Sequence, residues 1–515
     1  MIEGMLIGLT TVLTPTNLMM VFVGCFAGTF IGMLPGLGPI SAIALMIPVT
    51  YGFEPATGLI LMAGVYYGAV FGGSTSSILI NAPGVAGTVA TTFDGHPMAK
   101  RGEAGKALAI AAYSSFSGGT IAALCLLFAA PALASVALSF HSPDYFALTV
   151  LGLSAVSAFS GPTGTSDSDP SAQQGSMTKA LMMVILGLML ATIGQDVASD
   201  VPRFTFGSLA LLDGISFLLL AMATFALSEA LLTAMRSSSS GEVKDERTTE
   251  SIGSLKLTRA EIRELAPTVG RSSIVGFLIG VLPGAGATIA SFLAYAMERN
   301  LAPADKRLLF GRGSIRGLAA PEAANNAACS GSFVPLLTLG IPGSGTTAVM
   351  LAALISYGVR PGPQLLVDRP AVFWSVILSM YLGNVVLLVL NLPLIPYFAR
   401  LLSVPPRLLV PMIFYFSLLG VYVVSFSIVD LLFMIGIAAG AVVLRTQGYP
   451  MPPLVLAFVL GPMMEENLRR SLVLYDGTLA FVWQRPLTGS ILLVALVIAT
   501  LPGWKRLFGR LSRSR

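Results

Sequence analysis

Long apolar runs alternate with short polar stretches along the whole chain. Several runs exceed the roughly 18 apolar residues that mark a membrane-spanning helix, from residues 5–31 near the start to residues 479–502 near the end. Counted together, the runs give about 12 spans or span equivalents. The pattern predicts an all-α polytopic membrane protein.

Proline and glycine interrupt four of these runs. The breaks lie at Gly32 to Pro39, Asn81 to Thr88, Gly280 to Ala287 and Gly340 to Thr347. Proline removes a backbone donor and clashes with the preceding helical turn, so a continuous helix is unfavourable there. In contact with lipid, the freed backbone groups would have no partners. Each break is therefore expected to be buried in protein or to line a wet cavity.

The breaks recur in the same order in two halves of the chain. The first and third, at Pro35 and Pro283, lie 248 residues apart, and the second and fourth, at Pro83 and Pro342, lie 259 apart. We therefore predict a first membrane half at 1–234, a cytoplasmic linker at 235–266 and a second membrane half at 267–515. Thr258 and Glu261 form a capping-box pattern, which predicts a short surface helix in the linker.

Loop charge indicates the direction of this repeat. The loop around Glu54 in the first half carries no Lys or Arg, whereas its counterpart at 298–316 carries five basic residues. Basic loops stay on the cytoplasmic side, so the two loops are expected to face opposite sides of the membrane. Equivalent loops on opposite sides define an inverted repeat, with broken helices or helical hairpins at its centre.

Composition supports a membrane protein and excludes other classes. The 515 residues are 55% hydrophobic and 11% charged, whereas a soluble chain carries about 25% charged residues. The net charge of +5 comes from basic residues in short loops and at the C-terminus. This distribution fits a protein in a lipid bilayer and does not indicate a nucleic-acid partner.

The four breaks provide the candidate binding site. A helix N-terminus offers free N–H groups that suit a carboxylate, whereas unwound carbonyls suit Na⁺ or a proton relay. Taken singly, each Ser or Thr has the alternative role of helix packing. The predicted substrate and ion site comprises Pro35, Gly36, Gly38, Ser74, Thr75, Asn81, Pro83, Gly84, Pro283, Gly284, Gly286, Thr288, Glu322, Asn325, Asn326, Pro342, Gly343, Ser344 and Thr346, with Thr347 beside them.

Glu322 is the ionisable residue of most interest. It follows Pro321, which predicts a place in the first turn of a helix. There, a carboxylate interacts favourably with the helix dipole. The alternative is that Glu322 is a ligand for the coupling cation.

The sequence gives little support for an enzyme. Its only histidines are His96 and His141, neither lies in an HExxH motif, and no phosphate-binding loop is present. His96 lies in the polar stretch Asp94 to Met98, which predicts a turn. No cofactor is expected beyond a coupling Na⁺ or proton.

Several of these motifs, in this order, resemble one family. The segments that carry the resemblance are Gly32 to Pro39, Tyr67 to Ser74, Asn81 to Gly84, Asp94 to Gly102, Arg203 to Gly207, Leu282 to Thr288, Ala320 to Ala327, Leu339 to Ser344, Pro361 to Pro363 and Gly461 to Arg470. Over residues 18 to 486, the chain resembles the large membrane subunit of the tripartite tricarboxylate transporters, the TctA type. Arg316 departs from the pattern, since relatives usually carry an acid there.

The resemblance implies a permease in the bacterial inner membrane that is driven by an ion gradient. It implies two protein partners, a small membrane subunit of about four spans and a periplasmic solute-binding protein, and organic di- and tricarboxylates as substrates. Two alternatives stay open: a self-sufficient permease or channel without a binding protein, and a membrane enzyme acting on lipid or peptide.

Overall fold

Helices make up almost all of the described structure, a computed structural model that covers residues 2–34, 37–81, 83–159, 170–196, 199–239, 253–282, 286–395 and 406–513. The α-helices are α1 Ile2–Val12, α2 Pro15–Met33, α3 Gly38–Thr50, α4 Pro55–Ile80, α5 Val89–Met98, α6 Ala104–Ala137, α7 Ser142–Phe159, α8 Pro170–Ala191, α9 Phe217–Ala221, α10 Ser228–Ser239, α11 Arg259–Val281, α12 Gly286–Leu301, α13 Ala304–Arg307, α14 Ile315–Gly331, α15 Phe333–Leu339, α16 Gly345–Ser356, α17 Leu365–Asp368, α18 Pro370–Asn391, α19 Pro406–Ser425, α20 Ile428–Thr446, α21 Met451–Leu474, α22 Phe481–Gln484 and α23 Pro486–Arg513.

The remaining regular elements are short. Two 3₁₀ turns lie at Ala86–Thr88 and Leu209–Leu211, and π-helical segments lie at Ala99–Glu103 and Met222–Leu227. Two strands of two residues, β1 Gly194–Gln195 and β2 Pro202–Arg203, pair antiparallel, with Gly194 opposite Arg203.

The lengths of the apolar helices identify a membrane protein. Within the described ranges, six helical stretches are long and apolar enough to cross a membrane, judged by length and composition, and six more apolar helices have 10–17 residues. The shorter ones include α3 and α16, each of which begins at a predicted break. The prediction of an all-α polytopic membrane protein is confirmed.

Glycines hold α2 directly against α4. A side-chain carbon added at Gly28 would collide with the backbone of Val65, and one added at Gly32 would collide with the backbone of Ala69. The contact advances by one helical turn on both helices, so the two helices run parallel. Small residues at this spacing allow the close backbone approach that packs helices within a membrane.

Glycine contacts of the same kind pack α11 against α14 in the second half. Gly276 lies against the backbone of Ala324, and Gly280 lies against that of Ala328. These helices therefore also run parallel. Gly32 and Gly280 are separated by the same offset as Pro35 and Pro283, so the contact recurs at the predicted repeat.

The helix ends at the breaks also correspond. Gly38 and Gly286, which have the offset of the first and third breaks, both start a returning helix with φ 61°. Asn81 and Gly340, which have the offset of the second and fourth breaks, both end a helix in the left-handed conformation, with φ 52° and 68°. Gly and Asn are the residues that tolerate this conformation best.

The two halves meet where α4 crosses α14. The Ser74 hydroxyl donates to Glu322 at 2.7 Å, and the hydroxyls of Tyr67 and Ser330 lie 2.6 Å apart. A step back along α4 from Ser74 to Tyr67 corresponds to a step forward along α14 from Glu322 to Ser330, so the two helices are antiparallel. Helix α4 is buried from Ala56 to Ile78, which places this crossing at the core of the protein.

The helix that begins at the end of the linker is longer than the sequence predicted. The capping box is confirmed: Glu261 N–H donates to Thr258 Oγ1 at 3.3 Å, and Thr258 N–H donates to the Glu261 carboxylate at 2.8 Å. The helix that it opens is not a short surface helix, because α11 continues for 23 residues to Val281. The apolar face that begins beyond the cap holds this helix in the core.

The glycine contacts predict that one added methyl group lowers stability at a glycine in contact with another helix, but not at a glycine with open space around it. Gly28→Ala should lower the free energy of unfolding by about 1–3 kcal/mol, because overpacking pushes α2 away from α4. Gly440→Ala is the matched control, since Gly440 is helical with no atom within 4 Å of an added carbon. Alanine favours a helix over glycine by about 1 kcal/mol, so the control should be neutral or stabilised. Thermal unfolding in detergent measures both, and equal behaviour would contradict the packing account.

Candidate functional site

A carboxylate surrounded by hydroxyl groups lies at the crossing of α4 and α14. Glu322 is fully buried. Its carboxylate accepts hydrogen bonds from Ser74 and Ser115, each at 2.7 Å, and from Thr91. These three donors come from α4, α6 and α5. We call Glu322 with Ser74, Thr91 and Ser115 the Glu322 cage.

No basic side chain balances this carboxylate in the described part of the chain. Other buried acids differ: Asp144 pairs with Arg485 at 2.7 Å, Glu298 pairs with Arg271 at 2.8 Å, and Glu229 pairs with an arginine of α20. Asp94 is instead held by two backbone N–H groups at the start of α14. An unpaired charge buried in a membrane protein is costly and marks a functional position. Of these acids, Glu322 is therefore the one that fits the binding of a mobile cation.

Glu322 lies deeper in its helix than the sequence predicted. Helix α14 starts at Ile315, and its N-cap Ser314 accepts a hydrogen bond from Gly317 N–H at 3.1 Å. Pro321 is inside the helix, so Glu322 occupies the third turn and not the first. The interpretation of Glu322 as a first-turn partner of the helix dipole is therefore wrong.

Two asparagines follow Glu322 on the same helix. Asn326 donates through Nδ2 to the Glu322 carbonyl at 3.2 Å, and its amide oxygen has no hydrogen-bond partner in the described part of the chain. There, both buried amide atoms of Asn325 also lack partners, and the side chain lies against Gly87. The structure thus brings both asparagines to the core with spare hydrogen-bonding capacity, as a polar ligand would require.

The fourth break forms the N-terminus of α16. Ser344 N–H donates to Thr347 Oγ1 at 2.8 Å, and Thr347 N–H donates to Ser344 Oγ at 3.3 Å. This reciprocal cap uses the amides of Ser344 and Thr347. It leaves those of Gly345 and Thr346 available for an anion. The Tyr66 hydroxyl of α4 lies 3.5 Å from Ser344 Oγ and connects this break to the crossing.

In each half, described residues of the two breaks lie against one another. An atom added at Gly84 would meet the Gly32 carbonyl, and one added at Gly343 would lie 3.1 Å from the Gly280 carbonyl. A carbon added at Gly38 would lie 3.9 Å from the Gly84 carbonyl oxygen. In each half, the second break therefore packs against the end of the helix that carries the first break.

Other predicted site residues lie elsewhere or outside the described ranges. Asn81 is exposed, Pro83, Gly286 and Thr288 are half-buried, and Thr75, Pro342 and Thr346 are buried. Within the described residues, neither Asn81 nor Thr288 hydrogen bonds to Glu322, and the conformation of Asn81 accounts for its presence at a helix end. Pro35, Gly36, Pro283 and Gly284 lie outside the described residues.

The sequence interpretation missed much of the cage and its surroundings. Thr91 and Ser115 were not among the predicted site residues. Asn391 on α18 is buried, and its amide oxygen has no hydrogen-bond partner among the described residues. Only the tertiary fold brings these residues to Glu322 or near it, although a Ser/Gly-rich stretch at 114–119 marks α6 as a packed helix.

Asp94 is the clearest correction. The stretch Asp94 to Met98 is not a turn but part of α5, and Asp94 is fully buried. Its carboxylate accepts backbone hydrogen bonds from Gly313 at 2.8 Å and Ser314 at 2.7 Å. These bonds fix the N-terminus of α14, the helix that carries Glu322, to the first half of the chain.

The unusual Arg316 has a local partner. Its guanidinium lies 3.1 Å from Glu264, and Lys306 lies 2.6 Å from the same carboxylate. The positive charge at this position therefore joins an ion pair between α11 and the start of α14.

Comparison with known proteins gives a consistent result. The family described as "Tripartite tricarboxylate transporter TctA family" matches residues 18–456. An "Uncharacterized 52.8 kDa protein in TAR-I ttuC' 3'region" of Agrobacterium vitis is 43% identical over 505 residues, 98% of this chain and 97% of that protein. An "Uncharacterized protein in TAR-II ttuC' 3'region" of the same organism is 43% identical over 232 residues, 44% of this chain and 94% of that protein. No solved structure matches the chain.

Proposed function

The chain belongs to the tripartite tricarboxylate transporter TctA family, and from this premise we propose that it imports organic di- or tricarboxylates, driven by a Na⁺ or proton gradient. In this proposal it works in the bacterial inner membrane with a small membrane subunit of about four spans. A periplasmic binding protein delivers the substrate. The observation that carries the proposal is the buried Glu322 carboxylate, which has three hydroxyl donors and no basic partner in the described structure.

Charge explains why the substrate needs a cation. Each negative charge that enters against an inside-negative potential costs about 2.3 kcal/mol per 100 mV. A dicarboxylate therefore accumulates only if cations enter with it. The Glu322 carboxylate balances the charge of one such cation within the protein.

The breaks supply the complementary half of the site. The free amides at the start of α16 suit a substrate carboxylate, and the unpartnered amides of Asn325 and Asn326 provide neutral hydrogen bonds. Neutral donors hold an anion without trapping it, which transport requires because the substrate must leave again. The cation and the anion would then occupy neighbouring positions around the crossing of α4 and α14.

We also propose that the two halves form an inverted repeat. Because α4 and α14 are antiparallel, their starting ends face opposite sides, and so do the loop at Glu54 and the loop at 302–314 that precede them. Arg101 donates to the Gly313 carbonyl at 3.3 Å, and Lys106 pairs with Glu261. These contacts support one basic, cytoplasmic end for the linker and the second loop.

Transport tests the functional proposal directly. Proteoliposomes that contain this chain and the small membrane subunit should accumulate labelled di- or tricarboxylate only when the binding protein and one imposed cation gradient are present. Na⁺ and proton gradients are applied separately, and liposomes without this chain are the control. Uptake without the binding protein would instead establish a self-sufficient permease, and no uptake under either gradient would refute secondary transport.

Cysteine labelling tests the inverted repeat. Glu54→Cys should react with a membrane-impermeant maleimide in intact spheroplasts, because its loop faces outward. Asp305→Cys, exposed in the basic loop, should react only after the membrane is permeabilised. The parent carries Cys125→Ser, since Cys25 and Cys329 are buried and Cys125 is half-buried. Labelling of both positions from the same side would contradict the inversion.

A further inference from the structure

A small cavity adjoins the Glu322 cage between α4, α6 and α18. It has room for about one water-sized particle. The described residues that line it contribute three hydroxyls and one amide among apolar side chains. The lining residues are Phe71, Ser74, Thr75, Leu108, Ala111, Ala112, Ser115, Asn391 and Ile395.

We propose that this cavity binds one Na⁺ ion, with Glu322 as its balancing charge. The inference rests on the proposed function in one respect, that this ion is the coupling cation. Binding itself follows from the local chemistry and can be measured without transport.

The two cage serines present acceptors to the cavity. A hydroxyl has one hydrogen and two lone pairs. Ser115 donates that hydrogen to Glu322 at 2.7 Å. Ser74 Oγ lies 2.7 Å from Glu322 and 3.2 Å from the Val70 carbonyl, and the nearer, charged carboxylate is the stronger acceptor. Their lone pairs are then left for the cavity, and donation to a carboxylate increases the negative charge on each hydroxyl oxygen. Through these two hydroxyls, a cation in the cavity would interact with the negative charge of Glu322.

Asn391 is oriented as a third ligand. Its Nδ2 donates to the Leu387 carbonyl at 3.0 Å, and only the amide NH₂ can make that bond. The amide oxygen is therefore the free atom. It is buried, in a side chain that is 2% exposed, and has no partner among the residues that the structure describes. A buried acceptor without a donor is unfavourable, and a bound cation would satisfy it.

Charge and ligand type select the ion. Glu322 is the only acid in the cage, so one positive charge neutralises the site. Oxygen ligands favour hard cations, and Ca²⁺ or Mg²⁺ sites usually draw on more than one carboxylate or on many waters. A small monovalent ion fits a cavity of this size with one carboxylate and neutral oxygens.

The test measures Na⁺ binding by the purified full-length chain. Thermal unfolding is followed while NaCl replaces choline chloride at constant ionic strength, with KCl as the parallel series. A ligand that binds only the folded state raises the unfolding temperature with concentration. We expect a saturable increase with Na⁺ and none with K⁺. The absence of a Na⁺-specific increase would overturn the proposal.

Two asparagines of α18 give a matched pair of variants. Asn391→Leu keeps the side-chain size but removes the cavity oxygen, and should weaken the apparent Na⁺ affinity roughly 10-fold or more. Asn384→Leu should leave the affinity unchanged, because Asn384 is also buried, with an amide oxygen that has no partner among the described residues, but lies against Gly119 and not in the cavity. An equal loss in both variants, or in neither, would overturn the assignment to this cavity. If Asn391→Leu does not fold, Thr75→Val provides the same comparison from α4.

Uptake measurements separate this proposal from the functional one. Carboxylate uptake that depends on a proton gradient and does not respond to Na⁺ would overturn the role of Na⁺ as the coupling ion. It would still support secondary transport. Specific Na⁺ binding without any carboxylate uptake by the complete system would support the cavity and refute the proposed function.

Discussion

A charge buried in a membrane protein must be neutralised, and Glu322 has no basic side chain in the described structure to do so. Asp144, Glu229 and Glu298 show the ordinary solution, in which an arginine is held permanently beside the acid. Three hydroxyl donors replace that arginine at Glu322. These donors stabilise the carboxylate by hydrogen bonds but do not neutralise its charge. A mobile cation can therefore bind reversibly beside it. A fixed structural pair would not permit this exchange.

The rest of the fold serves to place this group. Glycine contacts hold α2 parallel to α4 and α11 parallel to α14, and each pair ends near a break. The two pairs then cross antiparallel through Ser74 and Glu322. Such a crossing places broken backbone from both halves around one point, which offers amide and carbonyl groups that an unbroken helix would use internally. Asp94 fixes the far end of α14 and so connects the position of Glu322 to the first half.

Local sequence rules predicted the class and the helix ends at the breaks, because proline, glycine and apolar length act through the nearby backbone. Ser74 and Glu322 were also among the predicted site residues. The contributions of Thr91, Ser115 and Asn391 depend on contacts between helices far apart in sequence, which no local pattern encodes. Asp94 was assigned to a turn for the same reason, since its backbone partners lie in the other half of the chain. Asn81, predicted as a ligand, ends α4 in the left-handed conformation, so its residue type also has a structural explanation.

The most direct test of the central claim compares gradient-driven accumulation with downhill exchange in Glu322→Gln proteoliposomes. Glutamine keeps the size and part of the hydrogen bonding but removes the charge. The account predicts that accumulation of labelled carboxylate under a cation gradient is lost, while exchange of internal for external substrate persists. The exposed Glu54→Gln should behave as the parent does. Accumulation by Glu322→Gln equal to that of the parent would contradict the role of this carboxylate in coupling.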